Sequence, residues 1–210
     1  VEALPLGNGR LGAMVWGGAK HERIQLNEDT LYAGGPYDPT PSGALAALPE
    51  VRRLLFAGQY TEAEALANAT MMATPKKQMP YQPLGDLVLD FFEVSETNGY
   101  RRELDLDTAV AMSTFEARGL QHRREVLVSP VDHCIAVRLS GDNAKRISLR
   151  IGLDSDQPDA TVVADGETGL LLHGRNQAAF GIDGKLRFAL RLRVLATGGS
   201  MRQHGDRLEV

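Results

Sequence analysis

From about residue 85 onward the apolar residues fall on every second position, and that period leaves few folds open. Ile147, Leu149, Ile151 and Leu153 alternate with Ser148, Arg150, Gly152 and Asp154. Leu186, Phe188, Leu190, Leu192 and Val194 alternate with Arg187, Ala189, Arg191 and Arg193. Ile135, Val137 and Leu139 repeat the pattern on a shorter scale. Successive side chains of a strand point to opposite faces, so each run reads as a strand with one buried and one wet face, as in antiparallel sheets. Turn signals separate the runs: Asn98-Gly99, Arg118-Gly119, Gly141-Asp142-Asn143, Asp165-Gly166, Asp183-Gly184, Gly198-Gly199 and Gly205-Asp206. Roughly ten strands at hairpin spacing predict a mainly all-β chain built as a large antiparallel β-sandwich.

One stretch has a different period. Residues 44–72 read as a short helical insertion. Pro49 suits a first helical residue and Gly58 a stop, with "EVRRLLFA" between them. Thr61 and Glu64 then form a capping-box pattern, and Ala63, Leu66, Ala67 and Thr70/Met71 recur at helical spacing. The sequon Asn68-Ala69-Thr70 falls inside that predicted helix and reads as chance. The chain shows no internal repeat and no long linker, so residues 1–210 are expected to form one domain. It opens on Val1 rather than Met and stops on strand-like "RLEV", which suggests a piece of a longer polypeptide.

Gly7, Gly9 and Gly12 have the G-x-G-x-x-G spacing of a dinucleotide loop, and Glu28 and Asp29 follow where such a loop has its ribose-binding acid. That loop must open a helix, whose N-terminus holds the pyrophosphate. Here Ala13, Met14, Val15 and Trp16 follow, an apolar run that Gly17-Gly18 closes, which reads as a strand. Upstream, Pro5 is unsuited to a central parallel strand. The glycines are therefore expected to shape a turn with positive φ, and no cofactor is implied.

Composition removes other classes. Net charge is −4, which gives a nucleic-acid role no electrostatic support. The arginine pairs Arg52-Arg53, Arg101-Arg102 and Arg123-Arg124 have acids among them and read as solvated faces. No apolar run reaches membrane-spanning length. Cys134 stands alone in a strand pattern and reads as a buried core thiol. His21, His122, His133, His173 and His204 have no metal-ligand spacing and read as surface or strand-edge residues. No G-x-S-x-G elbow supports acyl transfer.

Polar and aromatic residues gather in the first ninety positions. Asn8 and Arg10 lie in the glycine turn; Asn27, Glu28, Asp29, Thr30 and Tyr32 in "IQLNEDTLYAGGP"; Tyr81 and Gln82 in "MPYQPLGD". Amides and carboxylates pair sugar hydroxyls, and aromatic faces cover the C–H side of a sugar ring. These nine residues are candidates for a substrate pocket or a domain interface. Glu28 and Asp29 are neighbours in an extended segment, so they point to opposite faces and do not make a hydrolytic pair. An Asx or Asp turn that caps its own backbone is the simpler account of "NEDT".

These motifs, in this order, resemble one family. "ALPLGNGRLGAMVWGG" followed by "ERIQLNEDTLYAGGP" is similar to the opening of family 95 glycoside hydrolases, the 1,2-α-L-fucosidase family. The similarity runs on through "LPEVRRLLFAGQYTEAEALA", "YQPLGDLVLDF", "YRRELDLDTAVA" and "HRREVLVSPVDHCIAVRLS". Tyr32 stands where a tryptophan is more usual. The resemblance implies an N-terminal β-sandwich whose partner is a catalytic (α/α)6 barrel further along the same polypeptide. It also implies an inverting, metal-independent reaction on a fucosylated glycan, without cofactor, and favours a periplasmic or extracellular setting. The barrel's catalytic motifs are not in these residues, so this chain is expected to be inactive by itself. A stand-alone carbohydrate-binding sandwich is the alternative, although aromatic content is only 6%, with the single Trp16 in an apolar strand.

Overall fold

A computed structural model describes residues 2–142 and 147–210. The fold opens with β1 (Leu4–Gly7), β2 (Leu11–Val15) and β3 (His21–Glu28), followed by helices α1 (Ala44–Phe56) and α2 (Tyr60–Thr70). Strand β4 (Gly85–Phe91) returns the chain to the first sheet. Then come β5 (Asn98–Asp105), β6 (Val110–Ala117), β7 (Leu120–Ser129) and β8 (Cys134–Gly141). The rest is β9 (Leu149–Asp154), β10 (Thr161–Ala164), β11 (Gly169–Arg175), β12 (Arg187–Arg193), β13 (Arg202–His204) and β14 (Arg207–Glu209).

The described strands form a sandwich. One layer is a seven-stranded sheet in the order β1-β2-β3-β4-β9-β14-β13. The other layer is split into a four-stranded sheet, β5-β6-β7-β8, and a three-stranded sheet, β10-β11-β12. The four-stranded sheet covers β1 and β2; the three-stranded sheet covers β9 and β14. Every pairing between named strands is antiparallel. Pro5 sits on β1, an edge strand, where its missing N–H costs nothing.

The period-two reading places the core correctly. Leu149, Ile151 and Leu153 are buried, with Arg150 and Asp154 exposed. They join Ile24, Leu26, Leu87, Leu89 and Phe91 from the same sheet, Phe115 and Val126 from the four-stranded sheet, and Leu170 and Leu172 from the three-stranded one. Each such side chain contributes about 1.5–3 kcal/mol by leaving water. Arg118 and Gly119, at φ 51° and 72°, make the two-residue turn between β6 and β7.

Several expectations need correction. Fourteen strands are described where roughly ten were expected, because three- and four-residue strands such as β10, β13 and β14 are too short to show a period. Asn98-Gly99 lies inside β5 at a register shift, so it makes a bulge rather than a hairpin. The end of the Gly141-Asp142-Asn143 signal lies outside the described residues. Pro49 is inside α1 rather than at its start, since the alanines at 44, 46 and 47 carry the helix a turn upstream. The Thr61/Glu64 box does not form; α2 starts at Tyr60, with Gln59 at the cap and no side-chain cap hydrogen bond. Cys134 is exposed, because Ile135, Val137 and Leu139 take the inner face of β8 and alternation sends their neighbour outward. His122 and Arg124 are buried for the same reason: they share the inner face of β7 with Val126 and Val128.

Candidate functional site

The β2–β3 hairpin organises both polar centres of the molecule. At one end, Asn8 Oδ1 accepts the backbone N–H groups of Arg10 and Leu11 at 3.0 and 2.8 Å, which closes the β1–β2 turn. Gly9 takes φ 92° there, a conformation open to glycine and strained for other residues. Gly7 and Gly12 pair directly across the hairpin, and neither has a positive φ. A side chain at Gly12 would meet Asn27 Cβ at an ordinary 3.5 Å. The motif is thus a turn, with one of its three glycines required by the backbone.

Six of the residues singled out from the sequence surround this end, and five of them line an open cleft. Arg10, Asn27, Asp29, Tyr32 and Tyr81 lie around a cavity volume of about 330 Å³, near the lower end of the range for small-molecule sites. Tyr32 and Tyr81 pair through their backbones and meet edge to face, with ring centroids 5.3 Å apart and planes at 72°. Asn8 stands just outside, its Nδ2 donating to the Ser129 carbonyl at 2.8 Å.

The other candidates serve the backbone. Glu28 Oε2 accepts the N–H of Thr30 at 2.8 Å and its hydroxyl at 2.5 Å, while Oε1 takes Arg10 Nε at 3.1 Å. Burial pushes the Glu28 carboxyl up, but these bonds from Thr30 and Arg10 outweigh it and hold the group below its ordinary range. The turn at "NEDT" does cap its own backbone, but through Glu28 and not through the Asx-type side chain of Asn27 or Asp29 that was expected. Tyr81 Oη donates to the Glu28 carbonyl at 3.0 Å. Burial, then the nearby Glu28, Tyr32 and Asp29, raise the Tyr81 phenol above its ordinary value, so it remains protonated. Gln82 is buried, and its Oε1 accepts the Gln177 N–H at 3.2 Å; it does not line the cleft.

Sequence reading missed Asn176. This buried amide donates Nδ2 to the carbonyls of Tyr32 and Gly34, both at 2.6 Å, and its Oδ1 accepts the Leu186 N–H at 3.0 Å. It fixes the loop that presents Tyr32. No local pattern marks it, because the two carbonyls it holds lie 142 and 144 residues away.

At the hairpin's other end the polar groups are enclosed. The carbonyls of Trp16 and Gly17 accept Arg102 Nη1 and Tyr100 Oη, each at 2.5 Å. The carbonyls of Gly18 and Ala19 accept Nη1 and Nη2 of Arg124. Glu22 Oε1 accepts the Gly17 N–H at 2.8 Å, and Oε2 lies 3.4 Å from Arg124 Nη1. The guanidinium also sits over Phe91, 3.8 Å from the ring centroid. Burial is the leading influence on both charges: it raises the Glu22 carboxyl and lowers Arg124 to about 10, against their mutual attraction. The enclosed cavity beside them measures about 10 Å³, too small for a ligand larger than water. This is a clasp between the two layers and has no room for a substrate.

A family model described as glycosyl hydrolase family 65, N-terminal domain, matches residues 1–210. The chain belongs to this family. The description carries a different family number from the motif resemblance, and the curated relatives carry the enzyme name to which the motifs point. Alpha-L-fucosidase 2 of Arabidopsis thaliana is 38% identical over 158 residues, 74% of this chain and 18% of that protein. Probable alpha-fucosidase A of Aspergillus niger is 33% identical over 207 residues, 94% of this chain and 25% of that protein. Probable alpha-fucosidase A of Aspergillus oryzae is 28% identical over 142 residues, 64% of this chain and 19% of that protein. The chain therefore spans a quarter or less of the length of these relatives.

Proposed function

We propose that residues 1–210 form one non-catalytic N-terminal β-sandwich domain of an inverting, α-L-fucosidase-like glycoside hydrolase. The domain supports an (α/α)6 barrel in the same polypeptide, and its segment 27–36 borders the barrel's pocket. The barrel supplies the reacting groups, and the full enzyme removes terminal α-linked fucose from glycans.

One observation carries the non-catalytic part. Glycoside hydrolysis ordinarily needs two carboxyl groups facing each other across the scissile bond, about 5–10 Å apart. Among the described residues, Asp29 is the single carboxylate lining the cleft; Glu28 is tied to Thr30 and Arg10. The fucosidase names of the relatives support the substrate class.

The test is an assay on a 1,2-fucosylated glycan, with the released sugar's anomeric configuration followed by proton NMR. The longer polypeptide that carries this chain should release fucose as the inverted anomer, and the 210-residue chain should release none. Turnover by the 210-residue chain would overturn the non-catalytic reading, and a retained anomer would overturn inversion.

A further inference from the structure

The open cleft keeps polar groups without a partner among the described residues. Neither the Asp29 carboxylate nor the Tyr32 hydroxyl makes a hydrogen bond, and Arg10 engages Glu28 through Nε, which leaves its Nη donors unused. Asn27 Nδ2 reaches only the Gln25 carbonyl, at 3.5 Å. Tyr32 and Tyr81 are each more than a third exposed, so the cleft has an apolar wall beside these donors and acceptors.

We propose that this cleft binds one neutral pyranose ring of a glycan, as a sugar site belonging to the sandwich itself. The inference deepens the reading above and rests on it, since Asn27, Asp29 and Tyr32 lie in the segment 27–36 proposed to border the barrel's pocket. A pyranose has hydroxyls around its rim and C–H groups on its faces. Asp29 and Asn27 accept from hydroxyls, Arg10 Nη and Asn27 Nδ2 donate to them, and the tyrosine rings cover the C–H face. The volume of about 330 Å³ suits a single ring. Charge sets the class: Glu28 offsets Arg10 at 3.1 Å, so Asp29 gives the lining a net negative charge and disfavours carboxylated or sulfated sugars.

The test is saturation-transfer NMR on the 210-residue chain, whose three sheets share one contiguous core. The probes are methyl α-L-fucopyranoside, a 1,2-fucosylated trisaccharide, and glucuronic acid as the charged control. Transfer is expected to the ring protons of the neutral sugars and not to glucuronate. Asp29→Ala and Tyr32→Ala should each weaken binding about tenfold, the loss of one good polar contact or ring contact. Asp29 is exposed, so its variant tests the cleft without burdening the fold. Absence of transfer from the neutral sugars, equal transfer to glucuronate, or binding unchanged in both variants would overturn the proposal. An active full-length fucosidase whose sandwich binds no sugar removes this inference and leaves the proposed function standing. Sugar binding by this chain within an inactive polypeptide does the reverse.

Discussion

The two ends of the β2–β3 hairpin are built in opposite ways. At the Trp16–Ala19 end, four successive carbonyls each receive a side-chain donor from the four-stranded sheet, and Glu22 turns inward to meet Arg124. At the Arg10–Asp29 end the backbone is closed by a single bond, Asp29 N to the Arg10 carbonyl at 3.0 Å, and the side chains face an open cleft. Buried polar groups are costly unless paired, so the enclosed end has used its hydrogen-bonding capacity to hold two layers together. The open end retains part of its capacity: Glu28, Tyr81 and Asn8 are engaged, while Asp29, the Tyr32 hydroxyl and the Arg10 Nη groups have no partner among the described residues. Charged residues alone do not mark a functional site; the proposed sugar site differs from the clasp in that its polar groups stand beside an open volume.

The largest expected effect breaks the clasp. Arg124→Met frees the Gly18 and Ala19 carbonyls and leaves Glu22 buried without its cation. Urea unfolding should show a loss of about 3–5 kcal/mol. Asp29→Ala should change the same measurement by no more than about 0.5 kcal/mol, because its carboxylate supports nothing in the fold. Equal losses in the two variants would erase the contrast between the ends.

Asn176→Ala sharpens the comparison, since it attacks the open end from beneath. The Tyr32 carbonyl and the Leu186 N–H lose their partner, and the Gly34 carbonyl is left with only the Lys185 N–H at 3.2 Å. Stability should fall by about 1–3 kcal/mol. The near-ultraviolet circular dichroism of the tyrosines should change as well, because Tyr32 is no longer held against Tyr81. An unchanged tyrosine signal would mean that the Tyr32–Tyr81 bridge positions the pair without Asn176.

The reach of the sequence follows from the range of each interaction. Alternation is local, so the faces of β8, β9 and β12 could be read directly, and the exposure of Cys134 was implicit in that same period. Arg124 was legible too: its i+2 and i+4 neighbours, Val126 and Val128, mark the inner face of β7, but the doublet Arg123-Arg124 reads as surface charge when taken as a pair. The cleft came out in part. Its residues lie on two turns and one loop rich in amides and tyrosines, and composition alone drew attention to them. Their convergence depends on the pairing of β2 with β3 and of Tyr32 with Tyr81, which no local pattern contains. Asn176 holds the Tyr32–Gly34 loop through carbonyls more than 140 residues away, so that role left no local trace.

The glycine turn offers a smaller effect with a clear internal control. Gly9→Ala places a side chain at φ 92° and should cost about 1–2 kcal/mol in urea unfolding. Gly12→Ala meets only ordinary contacts at 3.5 and 3.7 Å and should stay within about 0.5 kcal/mol. A cofactor loop would need all of its glycines for close approach. Equal penalties at the two positions would show that this turn needs more of its glycines than the backbone angles indicate.

The smallest effect is one of sign. Glu22 and Glu28 stand near opposite ends of β3 and are shifted in opposite directions. Burial raises Glu22, so its contribution to stability is complete below the ordinary value of 4.5 and is lost as pH rises through its raised value. Glu28 is lowered by Thr30 and Arg10, against burial; its contribution is present above 4.5 and is lost as pH falls through its lowered value. Urea midpoints of the wild type measured against Glu22→Gln should therefore decline as pH rises above 4.5. Those measured against Glu28→Gln should decline as pH falls below it. Glu28 is near the surface, where solvent screens its partners, so its curve should be the shallower one. Two curves of the same slope would mean that the enclosed and open ends treat charge alike, and the distinction between clasp and cleft would fail at its electrostatic root.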